Sequence, residues 1–185
     1  MKALRLFPKM VIVVGIAFAV AGLVVAGAGI YIRGFVTEQL ASQQITTPED
    51  ASMPNMPVNN MATALSMANI IQHHAATSGN NLTYAQMGRF AVASGDPAGT
   101  NKAEDALKDA AGKPVANQAR NTQLTAASLV TALSLSAMAI GASYGAIALG
   151  IAFVALGLVI AGLGYALLGL ITPAVAQRFG LHPVA

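Results

Sequence analysis

The stretch that decides the fold covers residues 124–171 and reads LTAASLVTALSLSAMAIGASYGAIALGIAFVALGLVIAGLGYALLGLI. It contains no Asp, Glu, Lys, Arg or His. As one helix it would extend about 70 Å at about 1.5 Å per residue, more than twice the roughly 30 Å hydrocarbon core of a bilayer. Gly141 and Gly145, near its centre, favour a tight turn. We therefore predict two transmembrane helices, near residues 124–140 and 146–168, packed as a hairpin.

A further apolar run, residues 10–32, follows the basic residues Lys2, Arg5 and Lys9. A cleaved signal peptide is one interpretation, because Ala26-Gly27-Ala28 resembles a cleavage site. The length of the run favours the other interpretation, an uncleaved membrane anchor. The positive-inside rule then places the N-terminus in the cytoplasm. The sequence thus predicts an all-α, multi-pass protein of the cell membrane with three transmembrane helices.

The predicted domains are an N-terminal transmembrane helix (residues 1–33), an extracytoplasmic region (34–123), the transmembrane hairpin (124–171) and a C-terminal tail (172–185). All seven acidic residues of the protein lie in the extracytoplasmic region. Helical patterns there cover residues 61–76, 84–93 and 102–111, separated by segments rich in Gly, Pro and Asn. We expect a small helical cap that buries too little apolar surface to be stable alone.

Small residues recur at alternating four- and three-residue spacing on two of the predicted spans. In lipid, such residues let helix backbones approach closely, and packing rather than the hydrophobic effect holds the helices together. The pattern leaves open whether the neighbour is a helix of the same chain or another subunit. The predicted helix-packing residues are Gly15, Ala19, Gly22, Ala26 and Gly29 on the first helix and Gly150, Gly157, Ala161 and Gly164 on the last.

Two adjacent histidines and a Met-rich loop form the one candidate metal site. His73 and His74 lie on a predicted helix, and Met53 and Met56 precede it. Thioether and imidazole ligands suit Cu(I). Adjacent residues on a helix point about 100° apart, however, so the histidines do not form a two-ligand site by themselves. The alternative is that the methionines fill gaps in packing.

Several function classes lack their usual sequence features. The protein has no cysteine and a net charge of only +3, without the basic cluster expected of a nucleic-acid-binding protein. It has no glycine-rich phosphate loop, HExxH motif or nucleophile elbow. Proton relays and transport sites generally place ionisable residues inside the membrane, and the predicted spans carry only tyrosines of that kind. We therefore predict neither an enzyme nor a transporter, and no resident cofactor.

Four short pieces resemble a family of short actinobacterial membrane proteins. They are residues 35–40 (FVTEQL), 45–50 (ITTPED), 70–74 (IIQHH) and 82–87 (LTYAQM). Members often carry the name aromatic ring-opening dioxygenase subunit. The resemblance implies one N-terminal span, a helical extracytoplasmic segment and a C-terminal hairpin. An iron site of histidine and carboxylate ligands, which such a dioxygenase needs, is not evident in the sequence.

These observations lead to one functional expectation and one alternative. We expect a non-catalytic accessory subunit of a larger actinobacterial membrane enzyme complex, with a respiratory oxidase or a copper-dependent membrane monooxygenase as candidate hosts. Its partners would be other integral membrane subunits and lipid, and it could self-associate within such a complex. The alternative is an extracytoplasmic copper-binding or copper-delivery protein that uses the His73, His74, Met53 and Met56 side chains.

Overall fold

The computed structural model describes residues 2–171, and over this range the protein is helical without a β-strand. The predicted tail, 172–185, lies outside this range. Helix α1 covers Lys2–Ser42, α2 covers Met61–Ser78 and α3 covers Gln118–Ile171, with a short 3-10 helix at Tyr84–Gln86. The predicted all-α class is therefore confirmed.

Helix α3 is continuous, and the predicted hairpin turn is wrong. The helix runs for 54 residues through Gly141 and Gly145. A glycine inside a helix costs only about 1 kcal/mol relative to alanine, so two of them do not by themselves end one. Ser143, at the centre of the predicted turn, is 2% exposed, and its carbonyl faces Gly29 of α1. Packing against α1 therefore keeps this segment helical.

Within residues 2–171, two helices, rather than the predicted three, are long and apolar enough to cross a bilayer. They are the segments Leu6–Ser42 and Gln118–Leu170, each with a mean hydropathy of 2.7 over its most apolar window. The two segments are identified as candidate membrane spans by their length and composition only.

The chain divides into two compact units. Of the described residues, the first contains 2–35 and 141–171, and the second is Val36–Ile140. Both long helices therefore contribute to both units. The first unit is an antiparallel pair, because Gly15 contacts Gly157 whereas Gly29 contacts Ser143.

The second unit is built around the end of α1, the whole of α2 and the beginning of α3. The α3 residues in its core are spaced so that they share one face of the helix. Leu40 and Val58 pack with them against small residues of α2. The buried apolar core consists of Leu40, Val58, Ala64, Ala68, Leu133, Ala137 and Ile140.

The loop between α1 and α2 is folded around the Thr47 hydroxyl. Thr47 is buried, its hydroxyl donates a hydrogen bond to the Met53 carbonyl, and the same oxygen accepts one from the Met56 amide at 3.0 Å. Asn60 then caps α2 by accepting a hydrogen bond from the Thr63 amide at 3.1 Å. Helix α2 begins where the sequence predicts and ends two residues later.

Residues 82–117 form loops in place of the helices predicted at 84–93 and 102–111, apart from the short turn Tyr84–Gln86. Their backbone groups pair between segments instead of along a helix. Phe90 forms bridges with Thr100 and with Ala116, and Lys108 forms one with Pro114. Asn117, which is 4% exposed, holds these loops through its side-chain amide and caps α3 through its side-chain oxygen.

Candidate functional site

The predicted helix-packing residues lie together at the contact between α1 and α3. A Cβ atom added at Gly22 would lie 2.5 Å from the Gly150 carbonyl oxygen, and one at Gly150 would lie 2.5 Å from the Ala26 amide nitrogen. Real Cβ atoms do not approach backbone atoms so closely. Alanine would therefore not fit at either position unless the two backbones moved apart.

The contact repeats in layers that are seven residues apart on each helix. The other layers pair Gly15 with Gly157 and Ala161, Gly29 with Ser143, and Gly164 with the Pro8 carbonyl and Ile12. A seven-residue period, slightly shorter than two α-helical turns, is typical of left-handed supercoiled helix pairs. We call this contact the glycine seam.

Aromatic groups flank the glycine seam. Phe18 and Phe153 meet edge to face with ring centroids 5.8 Å apart, and the Arg33 guanidinium lies 5.2 Å from the centroid of the Tyr144 ring. The predicted packing residues of α1 and α3 thus contact each other within one chain, as the layers described above show. The neighbour that the sequence left undetermined is the protein's own second long helix.

A second repeat, which the sequence analysis missed, lies on the first part of α3. Its residues follow the same four- and three-residue spacing, and all of them are exposed. Thr131, Leu135 and Met138 each lie two residues before a buried core residue, namely Leu133, Ala137 and Ile140. Two residues correspond to about 200° around a helix, so the repeat lies on the face opposite the core. This outer stripe consists of Leu124, Ser128, Thr131, Leu135, Met138 and Ala142.

The outer stripe is more apolar than its two hydroxyl residues suggest. The Ser128 hydroxyl donates to the Leu124 carbonyl at 3.0 Å, and the Thr131 hydroxyl donates to the Ala127 carbonyl at 2.8 Å. Leu135 is 59% exposed and Met138 is 69% exposed. The stripe thus presents large apolar side chains whose polar neighbours are already hydrogen-bonded.

Two adjoining grooves lie beside α2 in the second unit. One groove has a volume of about 540 Å³ and a mostly apolar surface, and its polar lining residues are His74, Ser78, Gln118, Asn121, Thr122 and Thr125. The other groove has a volume of about 410 Å³ and is also mostly apolar, and its polar lining residues are Gln39, Gln43 and Ser136. Ile71 and Leu129 line both, so the grooves meet at these two side chains.

The candidate metal ligands are placed as follows. His74 Nε2 lies 2.6 Å from an Asp50 carboxylate oxygen, and the two imidazole ring centroids are 6.1 Å apart. Met53 and Met56 lie in the loop around Thr47. A hydrogen bond of 3.1 Å, which the Ser66 hydroxyl of α2 accepts from the Met53 amide, connects this loop to α2. Loop and helix therefore belong to one folded unit.

Within residues 2–171, no cluster of three or more His, Cys, Asp or Glu side chains could hold a metal ion. A copper site would need the two thioethers together with the histidines, and His74 would have to exchange its carboxylate partner for the metal. Copper binding stays a prediction from the sequence.

The Asp50–His74 contact also affects ionisation. The hydrogen bond from His74 lowers the pKa of the Asp50 carboxyl below its ordinary value of 3.8, and the nearby charge of His74 and His73 acts in the same direction. Both side chains of the pair are more than half exposed. The pair connects the α1–α2 loop to α2 at the surface.

Comparison of the chain with protein-family models, with curated proteins and with solved structures gives no match.

Proposed function

We propose that the protein is a non-catalytic accessory subunit of a larger membrane enzyme complex, held in the bilayer by α1 and α3. The observation that carries the proposal is the outer stripe of α3. Because the glycine seam is used within the chain, the stripe, and not the seam, is the surface on which a partner would dock.

The glycine seam supports the membrane location. From Ser143 to Gly164, α3 rises about 32 Å at about 1.5 Å per residue, which matches the roughly 30 Å hydrocarbon core of a bilayer. The matching part of α1 has no charged residue between Lys9 and Arg33. Two spans with the N-terminus in the cytoplasm leave residues 34–123 extracytoplasmic and return the C-terminus to the cytoplasm.

In this arrangement the outer stripe lies beyond the hydrocarbon core. Large contiguous apolar surface in contact with water is unfavourable and usually marks an interaction site. The four- and three-residue spacing suits one apolar helix packed alongside α3. We infer that the partner contributes such a helix at the outer surface of the membrane.

The resemblance to short actinobacterial membrane proteins supports a host complex in an actinobacterial membrane. A respiratory oxidase and a copper-dependent membrane monooxygenase are the hosts we propose. In either, this chain would position neighbouring subunits and leave the chemistry to them.

The test is purification of the full chain in mild detergent with a photo-crosslinking residue at Met138. We expect a covalent adduct with a second integral membrane protein. Leu135→Glu should abolish co-purification of that protein, because a carboxylate would be buried in an apolar contact. Leu65→Glu, at an exposed leucine of α2 outside the stripe, is the control.

Recovery of a folded monomer without an adduct from Met138 would overturn the proposal. So would a complex that survives Leu135→Glu. An adduct between two copies of this chain would replace the accessory role with self-association.

A further inference from the structure

Arg120 is the one charged residue of α3. It precedes Met138 by 18 residues, which is about five full turns of a helix, so the two residues lie at the same angle around α3. It also lies about one turn before Leu124, the first residue of the outer stripe. The apolar outer stripe therefore continues into a single positive charge, at the end of α3 farthest from the proposed hydrocarbon core.

The Arg120 side chain has no acceptor for its N–H groups in the described chain. Its Nε atom is buried without a hydrogen-bond partner, and no carboxylate within residues 2–171 forms an ion pair with it. A guanidinium is always charged in proteins and carries five N–H donors. Buried polar groups are nearly always hydrogen-bonded, and charged ones are paired. Arg120 therefore lacks an acceptor that a second molecule can supply.

Tyr84 holds this charge in place. The Arg120 Cζ atom lies 3.9 Å from the centroid of the Tyr84 ring. Such a contact attracts the cation to the face of the ring but gives its N–H groups no acceptor. Arg120 is also partly exposed, so a group from outside this chain can reach it. The stack thus positions a guanidinium whose hydrogen bonds are still to be made.

The distance along α3 indicates the source of the acceptor. From Arg120 to Ser143, α3 rises about 34 Å at about 1.5 Å per residue. The polar headgroup layer extends only about 5–8 Å beyond the hydrocarbon core on each side. A lipid phosphate therefore does not reach Arg120 in the proposed arrangement. A protein helix packed along the outer stripe does reach it, because Arg120 lies on the same face.

We propose that the partner helix on the outer stripe carries an Asp or Glu about one turn beyond its apolar contact, and that this carboxylate pairs with Arg120. A carboxylate can accept two parallel N–H···O bonds from one guanidinium. Similar apolar residues along the stripe secure contact, whereas a single ion pair at its end fixes the level at which the helix docks. The inference rests on the accessory role proposed above and specifies the chemistry of the partner.

The first test uses the full chain with the photo-crosslinking residue at Met138. Arg120→Glu should lower the yield of the Met138 adduct about tenfold or more, equivalent to about 1.4 kcal/mol of binding free energy, because two carboxylates would then meet. Arg89→Glu is the matched control and should leave the yield unchanged. Arg89 is an exposed arginine of the same unit that also lies beside an aromatic ring, with its Cζ atom 5.6 Å from the Phe90 centroid, but it is not part of α3.

A second measurement identifies the acceptor. Arg120→Lys keeps the positive charge and introduces an amine. A water-soluble carbodiimide activates the partner's carboxyl group, and the amine displaces the resulting urea to form an amide bond. Mass spectrometry should place this bond on an Asp or Glu of the same protein that is captured from position 138. Arg89→Lys should give no bond to that protein.

The outcomes separate this inference from the accessory role. A Met138 adduct whose yield is unchanged in Arg120→Glu would overturn the ion pair and leave the accessory role intact. Coupling at position 120 to a carboxyl group of this chain, or no coupling there, would have the same meaning. Absence of a Met138 adduct from the chain with native Arg120 would overturn both. If Arg120→Glu does not fold, the coupling in Arg120→Lys decides alone.

Discussion

Asp50 and His74 are the residues whose pairing depends most directly on solution conditions. They join the α1–α2 loop to α2 by a contact of 2.6 Å. Because the pKa of Asp50 is lowered in the folded protein, the pair stabilises the fold at pH values above the ordinary carboxyl pKa. That contribution is lost as the pH falls through the lowered pKa of Asp50.

His74→Ala should raise the pKa of Asp50 toward its ordinary value of 3.8, because it removes the hydrogen bond that is the main cause of the shift. The measurement is a carboxyl titration of Asp50 by NMR in the full chain. His73→Ala is the control and should change the pKa of Asp50 less, since His73 acts on it only through its charge. Equal effects of the two variants would contradict the assigned hydrogen bond.

Some residues with structural roles could be identified from the sequence and others could not. The His73-His74 pair was evident, but the partner of His74 lies 24 residues away and no local pattern indicates it. Asn117 was missed for the same reason, because its amide binds the carbonyls of Gly88 and Pro97 across loops. The one available signal was that asparagine is a favoured N-cap residue and that Asn117 directly precedes a long helical segment.

At the level of helices, two glycines of α1 that look alike in the sequence, Gly22 and Gly27, differ in the structure because only Gly22 lies in the glycine seam. Gly22 lies against the Gly150 carbonyl, whereas a Cβ atom at Gly27 would meet nothing within 4 Å. Each is a helix-interior glycine, so their intrinsic helix propensities are equal. The difference between them is packing alone.

Gly22→Ala should therefore destabilise the protein by about 1–3 kcal/mol, the usual cost of overpacking. Gly27→Ala should instead stabilise it by up to about 1 kcal/mol, because alanine is the better helix former. Reversible unfolding of the full chain in mixed micelles measures both free energies. Changes of the same sign and size would show that α1 and α3 do not pack through the seam.

The spacing of small residues was sufficient to identify which face of α1 and which face of α3 form the seam, because that spacing is a local property of each helix. It could not show that Ser143 belongs to the same contact. The hairpin prediction failed since it assumed that an uncharged stretch must lie entirely within the bilayer. Part of α3 is instead covered by α2 and by the end of α1, through Leu133, Ala137 and Ile140.

For the whole molecule, the continuity of α3 changes the expected membrane topology. Two spans place both termini on the same side of the membrane, whereas the predicted hairpin places them on opposite sides. The absence of native cysteine makes single-cysteine labelling direct.

Asn101→Cys, at an exposed loop position, should react with a membrane-impermeant maleimide in intact cells. Ala185→Cys should react only after lysis if the proposed arrangement of two spans with a cytoplasmic N-terminus is correct. Labelling of both variants in intact cells would support three spans. Labelling of Ala185→Cys alone would reverse the orientation derived from Lys2, Arg5 and Lys9.

The repeat of the glycine seam has a consequence for how the two long helices find their alignment. A contact that recurs every seven residues is self-similar, since sliding one helix by a heptad brings most small residues opposite other small residues. The seam therefore secures close approach but discriminates poorly between neighbouring alignments. Unique contacts must select the correct one, and Phe18 with Phe153 and Arg33 with Tyr144 are such contacts. Without them, the seam by itself would distinguish the native alignment less sharply from one shifted by seven residues.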